Sequence, residues 1–267
     1  MKLKKNKKGG VFVKVGYAIL YKDGTLTISK KHTILQKPIY KDYGEFDDNK
    51  IPWAWGKDDN CFIIVQVWIL NQVKSNCMKE WFADCYNLTT LIDFQNLDVS
   101  DCEDFSCLFY DCQTLKDISS LKEWNVSSGK SFSNMFRDCY SLIDISALEN
   151  WNVSNGKYFS FMFYRCKLLT NISSLKDWDV SNGRKFDSMF IACSSLTDIS
   201  ALGNWQMSNG KDFRTMFGDC INLRKIHLPN TLNFLTFIMF DGSNENLKIH
   251  WKNHVYTYDD LLEYKRF

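Results

Sequence analysis

Between residues 105 and 226 the apolar positions form a pattern that no single helix or strand produces. Phe159, Met162, Phe163 and Cys166 stand at i, i+3, i+4 and i+7, the face of a short helix. The same face recurs as Phe132, Met135, Phe136, Cys139 and as Phe186, Met189, Phe190, Cys193. Downstream, "SLTDISAL" places apolar residues at every third position, which suits a short strand followed by a bend. Upstream, Ser154 or Asn155 can cap a helix start, and Gly156 can take a turn with φ above zero. One unit is therefore predicted as strand, bend, turn, short helix.

The cysteines set the repeat. Cys85, Cys112, Cys139, Cys166, Cys193 and Cys220 are evenly spaced, 27 residues apart. Leucine follows three residues after each one, and an apolar residue follows six after: Leu91, Ile118, Ile145, Ile172, Ile199 and Ile226. Twelve after stand Trp124, Trp151, Trp178 and Trp205, with Leu97 in the first copy. A fixed period of this size means a solenoid or a related array. Stacked units bury each other's apolar edges, with parallel strands about 4.8 Å apart, so each column becomes an interior ladder.

The pattern "MFxxCxxLxxIxxLxxWxVSxGKxF" resembles the BspA-like leucine-rich repeat surface proteins, related to the Treponema-type repeats, over roughly residues 77 to 244. In the last unit Met239-Phe240 follows Met216-Phe217 by 23 residues, Ser243 holds the cysteine position and Pro229 stands where the tryptophan is missing. In the first, Trp81-Phe82 replaces Met-Phe. Atypical end copies suit an array that must be closed. The fold class is an α/β repeat, a leucine-rich-repeat-like solenoid of 27-residue units capped at both ends. Residues 1–60 form a β-rich lead-in and cap, 61–244 the solenoid and 245–267 the C-terminal cap. Val11, Val13 and Val15 alternate like a half-buried strand. Asp23-Gly24 between two strand-like runs signals a hairpin, and a buried strand is expected around Ile63 to Leu70. After the array, a strand, a turn and a short amphipathic helix close the end.

Composition narrows the function. With 45% hydrophobic and 24% charged residues the chain can fill a core. A formal charge of +2 argues against a nucleic-acid partner, although Lys2, Lys4, Lys5, Lys7 and Lys8 make a basic start. No apolar run approaches the roughly 20 residues of a membrane span. Lys14 interrupts the apolar stretch that a signal peptide would need, so the chain is expected to be cytoplasmic, exported by another route or a fragment.

Candidate chemistry is sparse. The six cysteines in register read as buried thiols, since a ladder points every side chain the same way and no C-x-x-C pair offers a metal site. Cys61, Cys77, Cys102 and Cys107 lie outside the ladder. His250 and His254 lack the glutamate of a zinc-protease motif, and His32 and His227 have no visible cysteine or serine partner. Asp117, Asp144, Asn171 and Asp198 form a polar column suited to turn hydrogen bonding, with calcium the lesser alternative. Lys130, Lys157, Arg184 and Lys211 form a basic column expected to balance it. Of the sequons at Asn87, Asn125, Asn152 and Asn171 most are by-products of the repeat, and they matter only in a chain secreted by a eukaryote. No phosphate loop, dinucleotide fingerprint or nucleophile elbow is present. No catalytic residue, cofactor or metal is expected.

Where the rungs differ, Tyr110, Tyr140, Tyr158, Phe161, Tyr164 and Ile191 supply the residue types that dominate interfaces. The expectation is a non-enzymatic, adhesion-type binding protein with a protein or glycan partner. The alternative is an intracellular repeat scaffold or inhibitor-type partner. The resemblance itself implies cell-surface adhesion.

Overall fold

The computed structural model describes residues 14–48, 51–53, 60–233, 235 and 237–263. Val11 and Val13 lie outside them. Strand β1 (Lys14–Tyr21) turns through Asp23-Gly24 into β2 (Thr25–Ser29), with Gly24 at φ 81°. Strand β3 (Ile39–Asp47) pairs antiparallel with the other side of β1. The solenoid starts on this hairpin: β4 (Gln66–Ile69) runs parallel to β2, and β6 (Thr90–Ile92) parallel to β4. Ile63 falls in a 3-10 turn over Cys61–Ile63, so the expected strand begins three residues later. A second, two-residue pairing joins β5 (Val73–Lys74) to β7 (Leu97–Asp98).

The middle units depart from the sequence expectation in two ways. Their strand is absent. Ile118, Ile145, Ile172 and Ile199 sit near φ −120° and ψ 20° and lead into 3-10 turns at Ser119–Leu121, Ser146–Leu148, Ser173–Leu175 and Ser200–Asn204. The rungs are joined instead by single parallel bridges, Asp104↔Ser131, Ser131↔Tyr158, Tyr158↔Lys185 and Lys185↔Asp212.

The expected short helix is also absent. In the unit ending at Cys139, Met135, Arg137 and Cys139 donate to carbonyls three residues back, in Phe132, Asn134 and Phe136. The alternate N–H groups, of Phe132, Asn134, Phe136 and Asp138, cross to Tyr158, Ser160, Met162 and Tyr164 of the next rung. An α-helix would use every N–H internally. Here half of them cross, which forces left-handed residues at Asn134 (φ 58°) and Asp138 (φ 60°). The same two positions are left-handed in all six cysteine-bearing units. Asp84, Asp111, Asp138 and Asp219 occupy the one before the cysteine, a residue type that tolerates this conformation.

Interior ladders hold the stack. Phe82, Phe109, Phe136, Phe163, Phe190, Phe217 and Phe240 form a column of near-parallel rings with successive centroids 5.5 to 5.9 Å apart. Gly156 does not have a positive φ. It is small because a Cβ there would lie 2.4 Å from Cζ of Phe159. At the far end β8 (Lys225–His227) pairs parallel with β9 (Lys248–Trp251), and β9 pairs antiparallel with β10 (His254–Tyr256). The single expected terminal strand is thus a hairpin, followed by helix α1 (Tyr258–Glu263).

Candidate functional site

The cysteine and tryptophan columns are buried, and each also donates a hydrogen bond. Sγ of Cys112, Cys139, Cys166, Cys193 and Cys220 lies 3.1 to 3.2 Å from the carbonyl oxygens of Phe82, Phe109, Phe136, Phe163 and Phe190. Burial pushes these thiols up, Cys220 to about 12. A thiol that stays protonated and gives its hydrogen to a carbonyl is a rung, not a nucleophile. Trp124, Trp151, Trp178 and Trp205 donate from Nε1 to Phe94, Leu121, Leu148 and Leu175 at 2.8 to 3.1 Å. The last unit continues the cysteine ladder with a smaller side chain, Ser243 donating to Phe217 at 2.7 Å, while Thr231 donates to the carbonyl of Trp205 itself at 2.7 Å. All ten cysteines are free thiols.

The polar columns separate. Asp117, Asp144, Asn171 and Asp198 accept the N–H of the serine two residues on, at 2.7 to 2.8 Å, and so shape the entry to each 3-10 turn. The basic column does not balance them. Lys130 pairs with Glu103 at 2.5 Å, while Lys157, Arg184 and Lys211 line a groove of about 310 Å³ with Asn182 and Asn209. His250 lies on β9 and His254 on β10; His250 stacks on His227 of β8 with ring centroids 4.5 Å apart. Among the described residues no group of three or more His, Cys, Asp or Glu side chains is placed to hold a metal ion. No helix among them is long and apolar enough to cross a membrane.

Three of the six expected partner-binding residues fall in one column, two positions before the cysteine: Tyr110, Tyr164 and Ile191. Between the two tyrosines, one rung from each, stands Arg137. Its guanidinium carbon is 5.5 Å from the Tyr110 ring centroid, 4.6 Å from Tyr164 and 5.3 Å from Phe161. Phe161 also packs on Tyr164 at 5.8 Å. Arg137 Nε meets Asp138 Oδ2 at 3.3 Å, and Arg165 Nη1 approaches Oδ1 at 3.5 Å while its guanidinium covers Tyr164 at 5.2 Å. Asp138 is buried beneath both arginines. Burial and the Asp138 charge raise Tyr140, over whose ring Lys167 Nζ sits at 4.9 Å. Tyr158 lies apart on the bridge ladder, 38% exposed, without a ring or cation contact to this cluster.

The variable large apolar and aromatic positions by themselves do not point to Arg137, Asp138, Arg165 and Lys167. The signal for Arg137 was present, as the basic residue between two tyrosines in one column of the repeat. Phe161 is the strained member, a bulky side chain at φ 59°. Such a conformation costs about 1–3 kcal/mol and persists only where the surroundings impose it.

No curated protein matches the chain. Among solved structures it is similar to a leucine-rich repeat protein from Eubacterium ventriosum, at 12% identity over 88% of this chain and 95% of that one, TM-score 0.29. A leucine-rich repeat protein from Bacteroides ovatus is similar at 14% identity over 94% and 80%, TM-score 0.29. A leucine-rich cell surface protein from Faecalibacterium prausnitzii is similar at 12% identity over 95% and 96%, TM-score 0.27. Residues 76–174 and 146–245 each match one family, and together they span more than half of the sequence. The chain belongs to that family, described as "Mycoplasma protein of unknown function, DUF285", and its repeats are of the BspA-like leucine-rich kind.

Proposed function

We propose that the chain is a non-enzymatic, adhesion-type protein-interaction module whose partner-binding face centres on Arg137. The observation that carries this reading is the Tyr110–Arg137–Tyr164 stack with Phe161 at its edge. Arginine and tyrosine are, with tryptophan, the residues most enriched at interface hot spots. Here they are held on backbone that the neighbouring rungs fix, so little side-chain freedom remains to be lost on binding. Cation–π contacts of this kind are worth about 0.5–2 kcal/mol each, more when a partner excludes water. Asp138 beneath supplies the countercharge that keeps two guanidinium groups together.

The protein partner meets the aromatic rings with apolar side chains and the arginine edges with carboxylates or carbonyls. Tyr140 with Lys167, and Ile191 one rung above Tyr164, extend the face. Tyr158 is peripheral to it. The test is capture of surface proteins from the native cells by the wild-type chain and by a Tyr110→Ala, Arg137→Ala, Tyr164→Ala variant in parallel. Loss of the captured species with an unchanged unfolding midpoint is expected; equal capture by both rejects this face.

A further inference from the structure

The basic column carries a second inference, independent of the aromatic face. The side chains nine residues before each cysteine run Asn76, Glu103, Lys130, Lys157, Arg184, Lys211. In the early rungs this edge neutralises itself: Glu103 takes Lys130 at 2.5 Å, and Lys74 takes Asp101 at 2.8 Å. From Lys157 onward no acid follows. Lys157, Arg184 and Lys211 have no carboxylate within ion-pair distance among the described residues, and they stand on consecutive rungs facing one groove of about 310 Å³.

Their spacing is imposed by the backbone. Lys157 N–H donates to Lys130 O at 2.9 Å, Arg184 N–H to Lys157 O at 2.8 Å and Lys211 N–H to Arg184 O at 2.8 Å. Three cations thus repeat at the rung interval, about 5 Å. Asn182 and Asn209, which line the same groove, are held by donating from Nδ2 to Ser154 and Ser181 at 2.8 Å each. Like charges so placed repel one another, and no carboxylate among the described residues pairs with them. A linear anion laid along the rungs relieves that repulsion.

We propose that this groove binds a sulfated glycan. The sulfates meet Lys157, Arg184 and Lys211, and the asparagine amides meet the sugar hydroxyls. Arginine in the middle position offers a planar fork to a tetrahedral oxyanion. The groove contains no aromatic side chain on which a nucleic-acid base would stack, which favours a glycan over a single-stranded polynucleotide.

The probe is heparin, titrated against the full chain. The wild type binds, and a Lys157→Gln, Arg184→Gln, Lys211→Gln variant binds at least tenfold more weakly with a shallower dependence on salt. A charge-matched control, Lys116→Gln, Lys122→Gln, Lys176→Gln, stays within about twofold of wild type, since those lysines are exposed elsewhere. Fully desulfated heparin does not compete. The proposal is overturned if wild type fails to bind heparin, if the groove variant binds as wild type does, or if the control loses as much. Equal competition by an oligodeoxynucleotide of matched charge overturns the glycan assignment. Both variants keep the lysine-rich start, so it cannot produce a difference between them.

Discussion

The two ends of the solenoid and its middle build the same buried column from different backbone. Leu91 in β6, Ile226 in β8 and Ile249 in β9 reach the core from parallel strands. Ile118, Ile145, Ile172 and Ile199 reach it from the entrance of a 3-10 turn, and they are no more exposed. Unit length makes the difference. Paired strand residues are 24 apart at one end (Gln66↔Thr90) and 23 apart at the other (Ile226↔Ile249), whereas the middle bridges are 27 apart. In the middle the 3-10 turn begins directly after the isoleucine, whereas at the N-terminal end it waits until Phe94–Asn96 after β6, and the inter-rung hydrogen bonds move to the bridge ladder and the turn spiral. Burial of the column is therefore a property of composition, and its backbone a property of unit length.

That contrast can be broken from the middle first. Phe136→Ala removes a ring stacked between Phe109 and Phe163 and should cost about 3–5 kcal/mol in denaturant unfolding. Each rung touches only its neighbours, so the loss should also split the transition into separable halves. A cost below about 1 kcal/mol would mean that the middle is not held by its ladders.

The N-terminal end should answer to pH instead. Asp48 is buried, and its carboxylate accepts hydrogen bonds from Ser75 Oγ and the Asn76 N–H, each at 2.9 Å; burial nevertheless raises it to about 6. A folded value above the unfolded one means that the native state holds the proton more tightly. Its contribution is therefore present at low pH and lost as pH rises from about 4 through 6, by about 3 kcal/mol. Asp48→Asn cannot ionise, so its stability relative to wild type should increase between pH 4.5 and 7.5. A constant difference across that range would place the carboxylate in water.

The smallest test compares two glycines. Gly156→Ala drives a methyl into Phe159 and should destabilise by about 1–3 kcal/mol. Gly203→Ala, within the 3-10 turn Ser200–Asn204, meets nothing within 4 Å and should be neutral or stabilising by up to about 1 kcal/mol. Equal effects at both sites in thermal unfolding would reject close packing as the reason for Gly156.

Much of the interior was legible. The cysteine, phenylalanine and tryptophan columns follow from one period, because stacked identical units must superpose identical side chains. The spiral of turns was not. The i, i+3, i+4, i+7 face of Phe159, Met162, Phe163 and Cys166 is shared by an α-helix and by turns closed three residues back. The aspartates before Cys85, Cys112, Cys139 and Cys220 were the available hint of left-handed backbone.

The candidate site divides in the same way. Its aromatic residues stand out as variation against a monotonous repeat. Which of them meet was not visible: Tyr110, Phe161 and Tyr164 converge on Arg137, while Tyr158 stays apart. The sequence by itself determined the stacking axis, the buried columns and the uneven charge along one edge. All of these depend only on residue identity repeated at a fixed interval. Only the tertiary structure decided whether an N–H bonds within its own unit or across to the next. That choice requires the neighbouring rung to be in place, and it sets the backbone angles that aim every exposed side chain.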